Sequence, residues 1–211
     1  VDLIDDHAIV PPKSVSGKAE YGAYTLRPKL TKLIQEHLDF SIEISIHQKM
    51  ILPLVSDIDV KDVFSLLKKD TSIQPSLLFH GGESEAQIQL TDFISHKADH
   101  YEDSNDPGLN LTSYLSMYLH FGMISPIDIY LSLEAAVKKG TIRPSAFAAF
   151  IEQLIIRREL AINYGMFHPG YDRFETMTES WAYQTMHEHD QDERPVLHDF
   201  ATLEAGVTAD V

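Results

Sequence analysis

The sequence predicts a mainly α fold, multi-helical, with a short extended or irregular N-terminal arm. Three observations carry this. From Gly82 onward, apolar residues recur at steps of three and four, as in Ala86, Leu90, Phe93, Ile94 and Tyr101. Helix punctuation brackets these runs: Ser125-Pro126 opens one helix and Lys138-Lys139-Gly140 closes it. The first thirty residues carry no such period.

In chain order, His7-Ala-Ile-Val10 reads as a short buried strand that Pro11-Pro12 stops. Residues 1 to about 30 are expected to be extended or irregular, and positions 30, 33, 34 and 38 then take helical spacing. Ile42, Ile44 and Ile46 alternate with period two and stay unassigned. Asp59 to Lys69 reads as a short helix. Glu83 and Glu85 sit where a helix dipole favours acids, at the start of the next. Ser104-Asn-Asp-Pro-Gly108 is loop chemistry. A helix from about Tyr114 to Phe121 follows, then the Ser125 helix. The longest helix begins at Pro144 or Ser145, carries Phe147, Phe150, Ile151, Leu154 and Ile155 on one stripe, and ends by Pro169-Gly170.

The chain has 211 residues, 44% of them hydrophobic, enough for one sizeable domain with an ordinary core. It has no cysteine, which excludes disulfides and cysteine-bound metal. No apolar run suits a membrane span and the start lacks a signal-peptide layout, so a cytoplasmic, intracellular location is expected. The formal charge of −15 repels phosphate backbones at long range. Val1 in place of Met suggests a processed product or part of a longer chain.

Candidate chemistry lies in few places. Thr112, Ser113 and Ser116 precede an apolar run, where hydroxyls either cap a helix or join its free N–H groups in holding an anion. Arg158 lies on the apolar stripe of the longest helix and needs a partner there, while Gln153 and Arg157, four apart, share a neighbouring face. A solvated edge with Glu152 and Glu159 compensating charge explains the same pattern. His96…His100 and His187-Glu-His189 have metal-ligand types, but the first lacks the adjacent glutamate and the second diverges on a helix, so no metal is expected. Hydrolase and nucleotide-fold motifs are absent.

Gly81-Gly82-Glu83, the Tyr101…Asn105-Asp106-Pro107 loop, Leu115-Ser-Met-Tyr-Leu-His-Phe-Gly122 and Leu154-Ile-Ile-Arg-Arg-Glu-Leu160 occur in an order and spacing that resembles the flavin-binding helical domain of class II DNA photolyases. Upstream, Asp6 to Val10 and Glu20 to Lys29 look like that family's link out of its α/β domain. The resemblance implies residues 1–80 as a linker-like arm with short helices, and 81–211 as the first half of the FAD-binding helical domain. It also implies a light-driven carbon–carbon lyase, in which FAD donates an electron to a cyclobutane pyrimidine dimer in UV-damaged DNA. The diphosphate segment maps onto Thr112, Ser113, Tyr114, Leu115 and Ser116, and the flavin-contacting tyrosine onto Tyr101. The hydroxyls would then serve as cap and cradle together.

The family's dimer-binding glutamate maps onto Gln153, with Arg157 and Arg158 a turn further on. Glutamine keeps the shape but cannot change charge or give up a proton. Met117, Met123 and Ile162 depart from the family's proline, glutamine and aspartate, while Asn163 is kept. Compared with the family, the chain lacks most of the α/β domain and the second half of the flavin domain, including its tryptophan chain; Trp181 cannot form a relay alone. Three readings stay open: part of a working photolyase, a truncated non-catalytic relative, or an acidic helical interaction module. Self-association, or a second chain completing the flavin domain, is expected of exposed apolar stripes.

Overall fold

The structure, a computed structural model, describes residues 8–38, 74, 76–177 and 179–208. The alternating Ile42–Ile46 run and the Asp59–Lys69 helix lie outside these. Every regular element among the described residues is helical, and none is long and apolar enough to cross a membrane. The chain divides into two compact units, Val1–Tyr164 and Gly165–Val211.

The first unit contains α1 (Pro12–Val15), α2 (Ala23–Leu38), α3 (Glu83–His96), 3₁₀ turns at Ala98–Asp103 and Pro107–Leu109, α4 (Ser116–His120) and α5 (Pro126–Lys138). The long helix follows as α6 (Pro144–Ile151), a π turn (Glu152–Arg157) and α7 (Arg158–Phe167), which runs across the boundary. In the second unit are α8 (Phe174–Met177), α9 (Ser180–Glu188) and α10 (Phe200–Glu204).

Local chemistry explains α5 directly. The Ser125 hydroxyl accepts the Ile127 N–H at 3.1 Å, Pro126 starts the helix and Gly140 takes φ +77° beyond its end. Helix α2 begins seven residues earlier than the period at 30–38 suggested. Ala23 and Leu26 extend the buried stripe of Leu30, Ile34 and Leu38, and Pro28 is tolerated because it is exposed. The burial won along 23–38 outweighs one missing backbone bond.

Two other expectations change. Ile9 and Val10 are buried as foreseen, but they form no strand. The Ile9 N–H is instead taken by Glu159 Oε1 at 2.7 Å, and the Glu20 N–H by Asn163 Oδ1 at 2.8 Å, while Asn163 Nδ2 donates to Lys18 C=O at 3.2 Å. Buried side chains of α7 thus do for the arm what a neighbouring strand would do. The longest helix, foreseen as regular, contains the π turn. There Leu154, Ile155 and Ile156, three in succession, are all buried. A regular α-helix spreads three consecutive side chains over more than half its circumference; the wider turn brings all of them to the core.

The core between α3, α6 and the first 3₁₀ turn is aromatic. Phe93 and Phe150 lie 4.9 Å apart by ring centroid, and the Tyr101 ring meets Phe150 edge-on at 4.9 Å and Phe93 at 5.9 Å. Phe150→Ala is expected to destabilise by about 3–5 kcal/mol.

The buried Glu20 carboxylate takes hydrogen bonds from Lys29 and from the Ser16 hydroxyl, which hold its pKa well down, at about 2. A carboxyl depressed in the folded state stabilises the fold above its unfolded value and loses that contribution as pH falls through its folded one. We therefore expect stability to drop from about pH 4.5 towards pH 2. Urea midpoints across that window should fall in the native chain and fall less in Glu20→Gln. Asn163→Ala, which strands the buried Glu20 N–H and frees the part-buried Lys18 C=O, is expected to lower the neutral-pH unfolding free energy by about 1–3 kcal/mol.

Candidate functional site

The π turn also aims the polar side chains beside it. In a regular helix Gln153 and Arg157 would stack at i,i+4; with about one more residue per turn, i and i+5 become the neighbours. Arg157 accordingly pairs with Glu152, five residues back, at 3.5 Å, and Glu152 also takes a two-pronged contact from Arg27 at 2.8 and 3.0 Å. The Arg27 bond, then its charge and that of Arg157, holds the Glu152 carboxyl below its ordinary range.

Gln153 is left to face a pocket of about 370 Å³. Tyr101, Ser104 and Asn105 line it from the first 3₁₀ turn and its loop, Thr112 from the segment before α4, and Ala149 from α6. Three candidate residues from separate stretches thus meet in one place. Burial pushes the Tyr101 hydroxyl above its usual pKa, so it stays protonated and able to donate.

The stretch leading into α4 is held under strain. Asn110 and Tyr114 take φ of +50° and +57°. Asparagine tolerates this region; for tyrosine it costs about 1–2 kcal/mol. The surroundings enforce it. Gln89 Nε2 donates to Ser113 C=O at 3.0 Å, and Lys97 Nζ lies 3.5 Å from Thr112 C=O and 4.8 Å from the centre of the Tyr114 ring. Phe79 also meets that ring, at 5.6 Å, and the Tyr114 hydroxyl donates to Asn110 Oδ1. Leu115 is buried and anchors the end.

The hydroxyls do not cap α4, contrary to one half of the sequence reading. Leu115 occupies the cap position with no side-chain bond to the helix, and Ser113 Oγ reaches only the Leu115 N–H, at 3.4 Å. The physical reason is register: the helix begins at Ser116, so Thr112 and Ser113 lie too far upstream to reach its first N–H groups. Ser116 is exposed at the helix start and Thr112 is exposed beside the pocket. Lys97 reaches the Thr112 carbonyl, and the Glu102 carboxylate joins the pocket's lining.

Arg158 goes elsewhere. It lines a second pocket of about 460 Å³ with Leu119, His120, Phe121 and Ser125, and its Nη1 lies 3.9 Å from Glu159 Oε1. Glu152 lies against Arg157 and Glu159 near Arg158, but the second pair is no solvated edge: Glu159 is buried and the Arg158 side chain is only 24% exposed. His96, His187 and His189 each pair with an aspartate, Asp92, Asp190 and Asp192. Sequence reasoning missed Lys97 and Gln89. Neither sits in a motif, and both act on a segment 15 or more residues away.

No family model matches the chain. Over 98% of its length it is 30% identical to a deoxyribodipyrimidine photolyase of Methanothermobacter thermautotrophicus, covering 44% of that protein. It is 29% identical over 98% of its length to the photolyase of Potorous tridactylus, covering 38% of it. The whole chain is 31% identical to the photolyase of Oryza sativa subsp. japonica, covering 42% of it. The chain thus spans less than half the length of the relatives it matches.

Lys97→Ala should loosen the strained stretch without touching the core. Amide exchange at residues 112–115 is expected to speed up by about tenfold, with helix content unchanged. Unaltered exchange would mean that Gln89 and Leu115 suffice to hold it.

Proposed function

Because the chain belongs to the deoxyribodipyrimidine photolyase family and matches part of those proteins, we propose that it contributes to light-driven, FAD-dependent repair of pyrimidine dimers in DNA. The observation that carries this reading is the convergence of Tyr101, Thr112 and Gln153 on one pocket.

The donor set fits one end of the cofactor. The Thr112 and Ser116 hydroxyls, the Lys97 ammonium and the N–H groups opening α4 suit a diphosphate, and they give an acidic chain a local place for anions. Tyr101, wedged against Phe93 and Phe150, offers a fixed aromatic wall. FAD held by these residues would supply light-driven electron donation to the dimer. Gln153 can donate to and accept from a base edge. It keeps the recognition of a glutamate while losing the negative charge and the proton, so binding outlasts repair yield. Arg157, drawn off Gln153 onto Glu152, and Arg158, in the second pocket, would meet DNA phosphates apart from the first pocket.

A second reading is a photolyase-derived helical shell without repair chemistry, whose flavin cup is completed by another chain or by self-association. The exposed apolar side chains of residues 165–208 favour it, and the charge of −15 weighs against DNA as a partner.

The test is the visible spectrum of the purified protein, before and after incubation with FAD, followed by blue-light repair of UV-irradiated oligothymidylate. Equimolar flavin is expected, with reduced occupancy in Thr112→Ala/Ser116→Ala and a repair yield raised by about tenfold in Gln153→Glu. A blank spectrum after FAD addition overturns the cofactor reading. Bound flavin with no repair in either protein leaves the shell.

A further inference from the structure

A long 3₁₀ run needs support from outside, because its poorly aligned hydrogen bonds seldom sustain more than three or four residues. The run at Ala98–Asp103 has six, and one arginine supplies that support. At the start of α6 the Arg143 backbone N–H donates to Asp99 Oδ1 at 2.6 Å and its Nε to the same oxygen at 3.2 Å, while Nη2 donates to the Asp99 C=O. The remaining prong, Nη1, meets Glu102 Oε2 at 3.3 Å, and the Ser145 hydroxyl donates to that oxygen at 3.1 Å. Phe93 and Phe150 grip the Tyr101 ring. The turn is thus fastened at Tyr101 and Glu102, two of the residues it contributes to the first pocket.

This fastening decides what the pocket can take. Glu102 is the only charged side chain among the described residues that line it, so an anion is opposed there. A carboxylate accepts hydrogen bonds and donates none. Arg143 and Ser145 both engage Oε2, so Oε1 keeps its capacity to accept. Donors share the lining: the Tyr101 hydroxyl, which stays protonated, and the amides of Asn105 and Gln153. One fixed acceptor among donors is the complement of an imide, an N–H between two carbonyls.

We propose that Glu102, held by Arg143 and Ser145, is a specificity-determining residue of the first pocket: it accepts the N–H of an imide whose carbonyls meet the neighbouring donors. Arg143 is then a positioning residue. The inference rests on the reading of this pocket as a binding site, and adds the chemical class that enters it. The flavin ring and thymine both carry an imide, so the two sources need separate arms of the test.

The experiment follows the amide shifts of residues 101–105 and 153 in the full chain as riboflavin, 3-methylriboflavin, thymidine and 3-methylthymidine are each added. Methylation removes the donor and leaves both carbonyls. Saturable binding of a parent compound is expected, about tenfold or more tighter than that of its methylated form; the compound that shows it identifies the source. Glu102→Ala should erase this preference, and Arg143→Gln should reduce it although the carboxylate is intact. The two side chains are 38% and 53% exposed, so the variants should fold, which the remaining amide shifts check. Equal binding of parent and methylated forms overturns the proposal, as does the binding of neither parent. So does a preference that survives Glu102→Ala or is untouched by Arg143→Gln. FAD uptake reports separately on the cofactor reading. FAD bound without an imide preference keeps that reading and removes this one, whereas a thymidine preference without FAD uptake does the reverse.

Discussion

The first unit depends on how α7 satisfies a backbone that, among the described residues, has no strand beside it. The arm at residues 8–20 is buried in places yet irregular, so its N–H and C=O groups need partners in the interior. Glu159 and Asn163, four residues apart on one face of α7, supply them. Their burial is affordable only because each polar atom that faces the arm is engaged, the Ile9 N–H, the Glu20 N–H and the Lys18 C=O among them. The arm in turn holds Glu20 against Lys29 of α2. Removing the amide would therefore unfasten two elements at once.

The π turn is the second constraint, and it links packing to the site. One extra residue in the helix resolves a conflict: three consecutive aliphatic residues must be buried, while Gln153 must remain on the accessible side next to Tyr101. A regular helix cannot meet both demands with the sequence Gln153-Leu-Ile-Ile-Arg157. The same shift carries Arg157 away from Gln153 and onto Glu152, which moderates its charge. A packing solution in the core thus sets the electrostatics at the surface of the pocket.

Much of this was legible from local chemistry. Ser125-Pro126 and Gly140 bounded α5 because caps and stops act within a turn of the residues that make them. The stripe of Ala86, Leu90 and Phe93 was visible because its period is short. Tyr101 joined that face although α3 ends at His96, since a 3₁₀ turn keeps the ring pointed at Phe93. What stayed hidden depends on distant partners. Nothing near Ile9 announces Glu159, nothing near Thr112 announces Lys97, and the π turn follows from the burial of Leu154 to Ile156 rather than from any helix-breaking residue. The start of α2 was obscured by Pro28, whose local penalty is outweighed by tertiary burial.

The bonds from Ile9 to Glu159 and from Glu20 to Asn163 span 150 and 143 residues. They give this helical protein an order of assembly. The arm is made well before its partners; at ordinary synthesis rates the interval is on the order of ten seconds. Closing so long a loop is entropically unfavourable until the intervening helices have shortened it. The earliest-made part of the unit is thus among the last to lock, and for that interval Ile9, Val10 and the α2 stripe are open to chaperones.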